Sequence, residues 1–401
     1  MPPAREPSHS NLTAVESGVR RRLLLVVESG TDARLLDGIS ALFDLEVVCR
    51  RIAGGVEINR SPQAPVRIEV GPASRVKFAL WVFRRLIKGR VRFDLILVQG
   101  YALASLACNL IGRLFGTRVV MFVCSPVELY YRCRKLAPSV RYPYRSTEAA
   151  GLQALAWLNS LLGQRYFVLS EHLARVVRAH GFARQIEVIP VYGVDTELYN
   201  PSFRHSKEGR ATLGLPATGS IILFSSRIAP EKDYDTLLRT LKLLRDEGED
   251  VWVVNRSGGF RDFLNRATQL GVEKFVNVGD ALNPQNEELA ALYRAADVCI
   301  QASLEEGLGF SPLEALACGT PVIASAVGGL LETIVDGKTG WTYPRGNARR
   351  LASAIREALT NVDEAARRTA QGREMVLERY ERSIVFAALK RAVERALKSG
   401  A

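Results

Sequence analysis

Histidine is scarce in this 401-residue chain, at four copies, and none stands beside any of the six cysteines in sequence. The cysteines, at positions 49, 108, 124, 133, 299 and 318, form no CxxC pair. Such spacing supplies neither a zinc ligand set nor a disulfide framework, and it predicts reduced thiols in a cytoplasmic protein. Long apolar runs are missing too. The longest near the start, Leu23–Val27, falls far short of the ~18–20 residues of a membrane span and of the ~7–15 of a signal peptide's apolar region. It reads as a first buried strand, so the chain is expected to stay where it is made.

What is present is 47% hydrophobic and 24% charged, the balance of a globular protein. The length suggests two domains of ~200 residues. Residues 1–200 hold 27 Lys and Arg against 16 Asp and Glu, and so carry nearly all of the formal charge of +12. A basic half suits an anionic partner: a membrane surface, a phosphorylated acceptor or nucleic acid. Nucleic acid is set aside, because the arginines are scattered through a strand–helix alternation instead of lining one helix.

Residues 1–18 are rich in Pro, Ser and Glu and are expected to be disordered. From Leu23 onward short apolar runs alternate with longer amphipathic stretches, the pattern of βαβ units and a parallel sheet. Strands are predicted at 23–27, 45–49, 95–98, 119–123, 166–169 and 187–189. The pattern restarts at 221–224, 251–254, 275–278, 298–301 and 322–324. Helices fit at 75–88, 102–115, 149–162, 171–180, 234–247, 287–294 and 348–359, with one long closing helix at 363–399. A hinge is expected at 193–209. The predicted organisation is a first α/β domain at 19–200, a second at 201–375, and a closing helical segment at 376–401 that packs back on the first. Two doubly wound sheets joined in this way face a cleft with their strand C-termini.

Four features of residues 220–340 converge on that cleft. Arg227 and Lys232, in Ser226-Arg227-Ile228-Ala229-Pro230-Glu231-Lys232, follow an apolar strand and can clamp a diphosphate, unless they are only solvated loop charges. Glu306 and Glu314 lie eight apart in Glu305–Ala315, with Gly307 and Gly309 allowing close passage of a ligand. Two roles stand open for Glu314. Ser311-Pro312-Leu313-Glu314 makes a capping box, with Glu314 serving the Ser311 amide; or the carboxylate accepts both hydroxyls of a ribose. Gly328-Gly329 precedes a helix expected near Leu331, whose free amides suit phosphate, although many such pairs are only turns. Val278-Gly279-Asp280 ends a strand where backbone can meet a base edge.

As a set these residues resemble the family 4 glycosyltransferases. The likeness is carried by Ser303–Ala324 (SLEEGLGFSPLEALACGTPVIA), by Gly193-Val194-Asp195 and Tyr199-Asn200-Pro201, and by Gly328–Gly340. It is strong over roughly residues 165–345. The resemblance implies the GT-B fold, two Rossmann-like domains facing a cleft, and transfer of a sugar from a nucleotide-diphosphate donor with retention. It also implies that no metal cofactor is needed. By position, Arg227 and Lys232 match the pair that binds the donor diphosphate, Glu306 the glutamate facing the donor sugar, and Glu314 the one that binds ribose. Gly30, Gly279, Gly307 and Gly309 complete the expected donor contacts.

The chain departs from the family at several points. Ser226 stands where a glycine is common, and Leu308 where an aromatic is common. Cys124 and Gln99 occupy places where many members have histidine, and the first-domain glycine pair is reduced to Gly30.

Acceptors in this family contact mainly the first domain. Tyr130–Arg145, read as a long loop of tyrosines and arginines beside Cys124, offers Tyr130 and Arg132 to a sugar or phosphate. In 74–92 a helix phase of 100° places Lys77, Trp81, Arg84 and Lys88 on one side and Val76, Ala79, Leu80, Phe83 and Ile87 on the other. The basic side is either a solvated face or a contact with anionic lipid, which would put the protein on the inner face of the plasma membrane. The expected function is sugar transfer to a lipid-linked or saccharide acceptor in envelope or exopolysaccharide synthesis. A small-metabolite acceptor is one alternative, and a catalytically silent nucleotide-sugar-binding scaffold is another.

Overall fold

A computed structural model describes residues 20–52, 66–89, 93–137, 142–182, 185–201, 207–282 and 287–398. The disorder expected for 1–18 and part of the expected hinge lie outside the described residues. The first half is one parallel sheet of seven strands: β1 Arg22–Val27, β2 Asp44–Arg50, β3 Arg67–Gly71, β4 Leu95–Gln99, β5 Val119–Val123, β6 Arg165–Val168 and β7 Gln185–Val188. Their order is β3-β2-β1-β4-β5-β6-β7. The second half is a parallel sheet of six: β8 Ser220–Leu223, β9 Val251–Asn255, β10 Val276–Val278, β11 Val298–Gln301, β12 Val322–Ser325 and β13 Trp341–Tyr343. Their order is β10-β9-β8-β11-β12-β13. This is an α/β fold of two Rossmann-like domains.

Burial explains why the strands were legible. β1, β5, β11 and β12 are apolar and buried almost throughout, because helices cover both faces of a parallel sheet. The two strands that sequence reading missed, β3 and β13, sit at sheet edges. One is mostly exposed and carries Arg67 and Glu69; the other has three residues. Neither makes a long apolar run.

In the first half the helices are α1 Ala33–Leu42, α2 Arg75–Gly89, α3 Leu103–Phe115, α4 Val127–Leu136, α5 Ser146–Leu162 and α6 Glu171–Ala179. In the second half they are α7 Lys207–Thr212, α8 Tyr234–Asp246, α9 Arg261–Leu270, α10 Glu287–Ala295, α11 Phe310–Ala317, α12 Leu330–Thr333, α13 Ala348–Thr360, α14 Val362–Arg379 and α15 Arg382–Lys398. Among the described residues no helix is long and apolar enough to cross a membrane.

Two helical readings are corrected. The single closing helix expected at 363–399 is two helices, α14 and α15, broken at Tyr380-Glu381. The break is a tertiary event. The Val194 amide donates to the Tyr380 carbonyl at 2.7 Å and the Arg382 amide to the Val194 carbonyl at 2.9 Å, which pins the chain where it crosses between halves. α14 packs on α11, whereas α15 lies on α1, with the Phe386 ring seated against Gly38.

The phase of α2 also differs from the reading above. Phe78, Val82 and Leu86 form the buried stripe, and Val76, Leu80 and Ile87 are exposed. Trp81 is half-buried and stacks on Phe78 at 5.8 Å, with the Arg85 guanidinium over its ring. It is therefore not part of the exposed basic side. The helix carries apolar residues on more than one side, so composition could not set its rotation.

Candidate functional site

Strand order reverses between β1 and β4 in the first sheet and between β8 and β11 in the second. Such switch points open a crevice beyond the strand C-termini. Here the two crevices face each other. The first is bridged by Gln99, whose Nε2 donates to the Gly30 carbonyl at 3.2 Å. The second holds the loop after β8, with Arg227 and Lys232, and the loop after β11, with Glu306.

Glu306 is buried and fully engaged. Its Oε2 accepts from Lys232 Nζ at 2.5 Å, from Gln301 Nε2 at 2.9 Å and from Ser303 Oγ at 2.9 Å. Its Oε1 accepts from the Tyr130 hydroxyl at 3.3 Å. Burial opposes ionisation, but Lys232 and the hydrogen bonds from Ser303 and Gln301 outweigh it and hold the carboxyl below its usual value. The Ser226 departure also finds a role: its hydroxyl donates to Gln301 Oε1 at 2.9 Å, and Gln301 holds Glu306.

Tyr130 reaches this centre from the opposite domain. The Gly307 amide donates to its hydroxyl at 3.2 Å while that hydroxyl donates to Glu306. Burial and the neighbouring carboxylate push the phenol well above its usual range, so it stays a neutral donor. The expected loop around it is α4, a helix that packs on the 3₁₀ turn Pro230–Lys232. Residues 138–141 of that stretch lie outside the described residues. Helical geometry also corrects Arg132. Two positions on from Tyr130 it points elsewhere, is exposed, and donates to Gln153 of α5 at 2.8 Å.

Glu314 does not cap its helix. α11 begins at Phe310, with Gly309 before it at φ 90°, and the Ser311 hydroxyl donates instead to the Ser225 carbonyl at 2.7 Å. The Glu314 carboxylate accepts from Arg34 Nη1 at 2.8 Å and from the Tyr293 hydroxyl at 3.0 Å. Burial pushes its carboxyl up in spite of Arg34. A cavity of about 440 Å³ opens beside it between the domains, walled by Asp32 and Arg34 on one side and by Arg227, Arg256, Leu282 and Phe310 on the other. Arg227 is well exposed there and pairs with Glu231.

Other expected contacts fall short. The Gly279 amide donates to the Asn255 carbonyl at 3.1 Å, and Ala281 and Leu282 line the cavity in its place. The helix after Gly328-Gly329 has only four residues, and the Gly329 amide already donates to the Glu306 carbonyl at 2.9 Å. These glycines serve close packing instead, since a Cβ on Gly329 would stand 2.1 Å from the Gly307 carbonyl oxygen. Cys124 sits at the end of β5 with its carbonyl oxygen against Gly307, and burial pushes its thiol up to about 12. A larger cavity, about 710 Å³, opens beside the Pro230–Lys232 turn, but it holds neither Glu306 nor Glu314.

Sequence reading missed Arg34, Arg256, Gln301 and Ser303, and with them a second band of contacts between the domains. The Glu171 and His172 amides at the start of α6 donate to Glu332, His172 Nε2 lies 2.7 Å from Glu305 Oε1, and Ser170 Oγ donates to the Gly307 carbonyl at 2.5 Å. Gln301 and Ser303 had a usable signal, two polar residues closing an apolar strand just ahead of Glu305-Glu306. Arg34 had none, because its partner is 280 residues away.

Residues 206–375 match the family described as Glycosyl transferases group 1. Among curated proteins, the D-inositol 3-phosphate glycosyltransferase of Corynebacterium aurimucosum is 34% identical over 189 residues, which cover 45% of this chain and 44% of that protein. The enzyme of the same name from Nocardiopsis dassonvillei is 38% identical over 181 residues, 42% of this chain and 41% of that protein. The chain thus spans less than half the length of these relatives. Among solved structures, sucrose-phosphate synthase from Thermosynechococcus elongatus superposes with a TM-score of 0.75 at 21% identity, covering 94% of this chain and 99% of the other. Anabaena HepE, in complex with UDP and glucose, gives 0.75 at 18% identity, covering 94% and 100%. Those likenesses show the fold, which is GT-B.

Proposed function

We propose, from the match of residues 206–375 to the family described as Glycosyl transferases group 1, that the chain transfers a sugar, with retention, from a nucleotide-diphosphate donor to a lipid-linked or saccharide acceptor in envelope or exopolysaccharide synthesis. The observation that carries the reading is Glu306, buried and ionised, gripped by Lys232 from its own domain and by Tyr130 from the other. A carboxylate placed by both domains, four residues ahead of Phe310 in the wall of a cavity that also holds Arg34, Arg227 and Arg256, suits a reacting sugar whose diphosphate leaves toward cations.

In this reading the nucleotide occupies the cavity of about 440 Å³. Glu314 takes the ribose, Arg227 and Lys232 take the diphosphate, and Glu306 faces the sugar. Arg256 adds positive charge to the same walls, so the leaving anion's charge is offset without assigning a metal cofactor. The acceptor enters from the first domain near Gln99, Cys124 and Tyr130. The named activity of the D-inositol 3-phosphate glycosyltransferases supports a second reading, in which the acceptor is a small phosphorylated metabolite drawn by the basic first half. A chain acting on lipid-linked acceptors would work at the inner face of the plasma membrane, with Lys77, Arg84 and Lys88 turned to it.

The test is acceptor-dependent release of nucleoside diphosphate from UDP-, GDP- and ADP-sugars, offered with lipid-linked, saccharide and inositol-phosphate acceptors. Melting temperature is followed in parallel, since a bound donor stabilises the folded state by mass action. No release and no stabilisation by any donor overturns the reading.

A further inference from the structure

The site leaves one outer side of the first domain unaccounted for. α2, α3 and α5 each lead from one strand to a later one on the same side of the sheet order, and right-handed crossovers lay them on one face. α2 packs along α3, and α3 along α5. Arg113 ties the last two together by donating to the Leu161 and Leu162 carbonyls of α5. On the outside of this layer Val76 and Leu80 are 58% and 52% exposed, Leu114 is 61% and Trp157 is 46% exposed, and Ile87 and Leu161 are exposed with them. Single exposed apolar residues are ordinary. A set spread over three adjacent helices marks a surface that meets something.

Charge says what. Across α2, α3 and α5 there are six Lys and Arg and one carboxylate, Glu148. Lys77, Arg84 and Lys88 are exposed, and among the described residues no ion pair engages them, whereas Arg85 on the inner side is paired with Glu46 and Glu69. A second copy docked through a two-fold axis would set these cations against their own kind. Anionic headgroups would pair them while the acyl boundary takes the apolar side chains.

We propose that the α2–α3–α5 face is a docking surface for an anionic lipid membrane, anchored by Val76, Leu80, Leu114 and Trp157 and attracted by Lys77, Arg84 and Lys88. α2 begins just beyond the C-terminal end of β3, the end of the sheet that borders the cleft. A docked face therefore runs up to the cleft rim, where a lipid-borne acceptor enters. This deepens the lipid-linked reading above and rests on it for that last step alone.

The experiment is co-sedimentation of the full chain with phosphatidylcholine vesicles, with and without about 30% phosphatidylglycerol, at about 0.1 M salt. The expected result is binding to the anionic vesicles only. Arg84→Gln with Lys88→Gln is expected to lower the partition coefficient by roughly 30-fold, each cation near such a surface being worth about 1 kcal/mol. Leu114→Ser with Trp157→Ser is expected to lower it without a change of charge. Both variants keep the rise in melting temperature that UDP, GDP or ADP produces in the parent, which shows that the cleft is intact. Vesicle binding reads no sugar transfer, so its failure and that of the transferase reading are separable. Absence of binding to anionic vesicles overturns the proposal. So does a dimer that Trp157→Ser dissociates and that vesicles leave untouched.

Discussion

Arg34, on the first helix of the first domain, and Glu314, on α11 of the second, meet across the cleft at 2.8 Å. Asp32 holds the other edge of the same guanidinium at 2.8 Å, and Tyr293 steadies the carboxylate. Burial works against the charge on Arg34, but Glu314 and Asp32 outweigh it. The carboxylate assigned to the donor's ribose is therefore also a contact between the domains. Donor binding and domain closure share one group.

Glu314→Gln separates the two functions of that group. The amide keeps the shape and one hydrogen bond, and Arg34 retains Asp32, so folding is little affected. A charge-assisted bond worth ~1.5–3 kcal/mol is lost to the nucleotide, which predicts a Kd roughly 10- to 100-fold higher by calorimetry. An unchanged Kd would place the ribose elsewhere.

Tyr130→Phe removes a hydroxyl that touches Glu306 and the Gly307 amide but not the nucleotide cavity. Two buried hydrogen bonds of about 1 kcal/mol each are at stake. Turnover is expected to fall by about 10-fold or more while nucleotide affinity stays at the parent value. Equal losses in both would show that Tyr130 supports the fold instead of the reacting centre.

Glu306→Gln is expected to spare nucleotide binding and to abolish transfer. Its stability should also depend on pH in a defined way. The folded Glu306 carboxyl lies below its reference value of 4.5, so its contribution is fully present above that value and is lost as pH falls through the lower, folded one. The stability gap between parent and variant should thus be constant at neutral pH and shrink in acid. A gap that widens in acid would contradict the ion pair with Lys232.

Gly193→Ala probes the crossing between domains. Gly193 has φ 61°, and a Cβ there would stand 2.6 Å from the Arg382 Cα. Left-handed backbone costs an alanine about 1 kcal/mol, and the overlap with backbone adds more. Chemical denaturation should show a loss of at least about 2 kcal/mol. A neutral result would mean that the Val194–Tyr380 pairing is not needed for stability.

The strand–helix alternation and the restart of the pattern after residue 200 were legible in the sequence, and the structure sets Arg227 and Glu314 on one cavity and Lys232 against Glu306. Buried parallel strands are apolar throughout, helices between them keep a period, and loop residues at strand ends stand out by their polarity. The edge strands β3 and β13 were not, because an edge needs no apolar run. The rotation of α2 was not, because a helix apolar on several sides has no single phase. The break at Tyr380 was not, because its cause is Val194, far back in the chain. Only the tertiary structure could choose between the cap and the cleft for Glu314, or turn Tyr130 toward Glu306 and Arg132 away. Those choices rest on partners 280 and 176 residues distant, which no local pattern encodes.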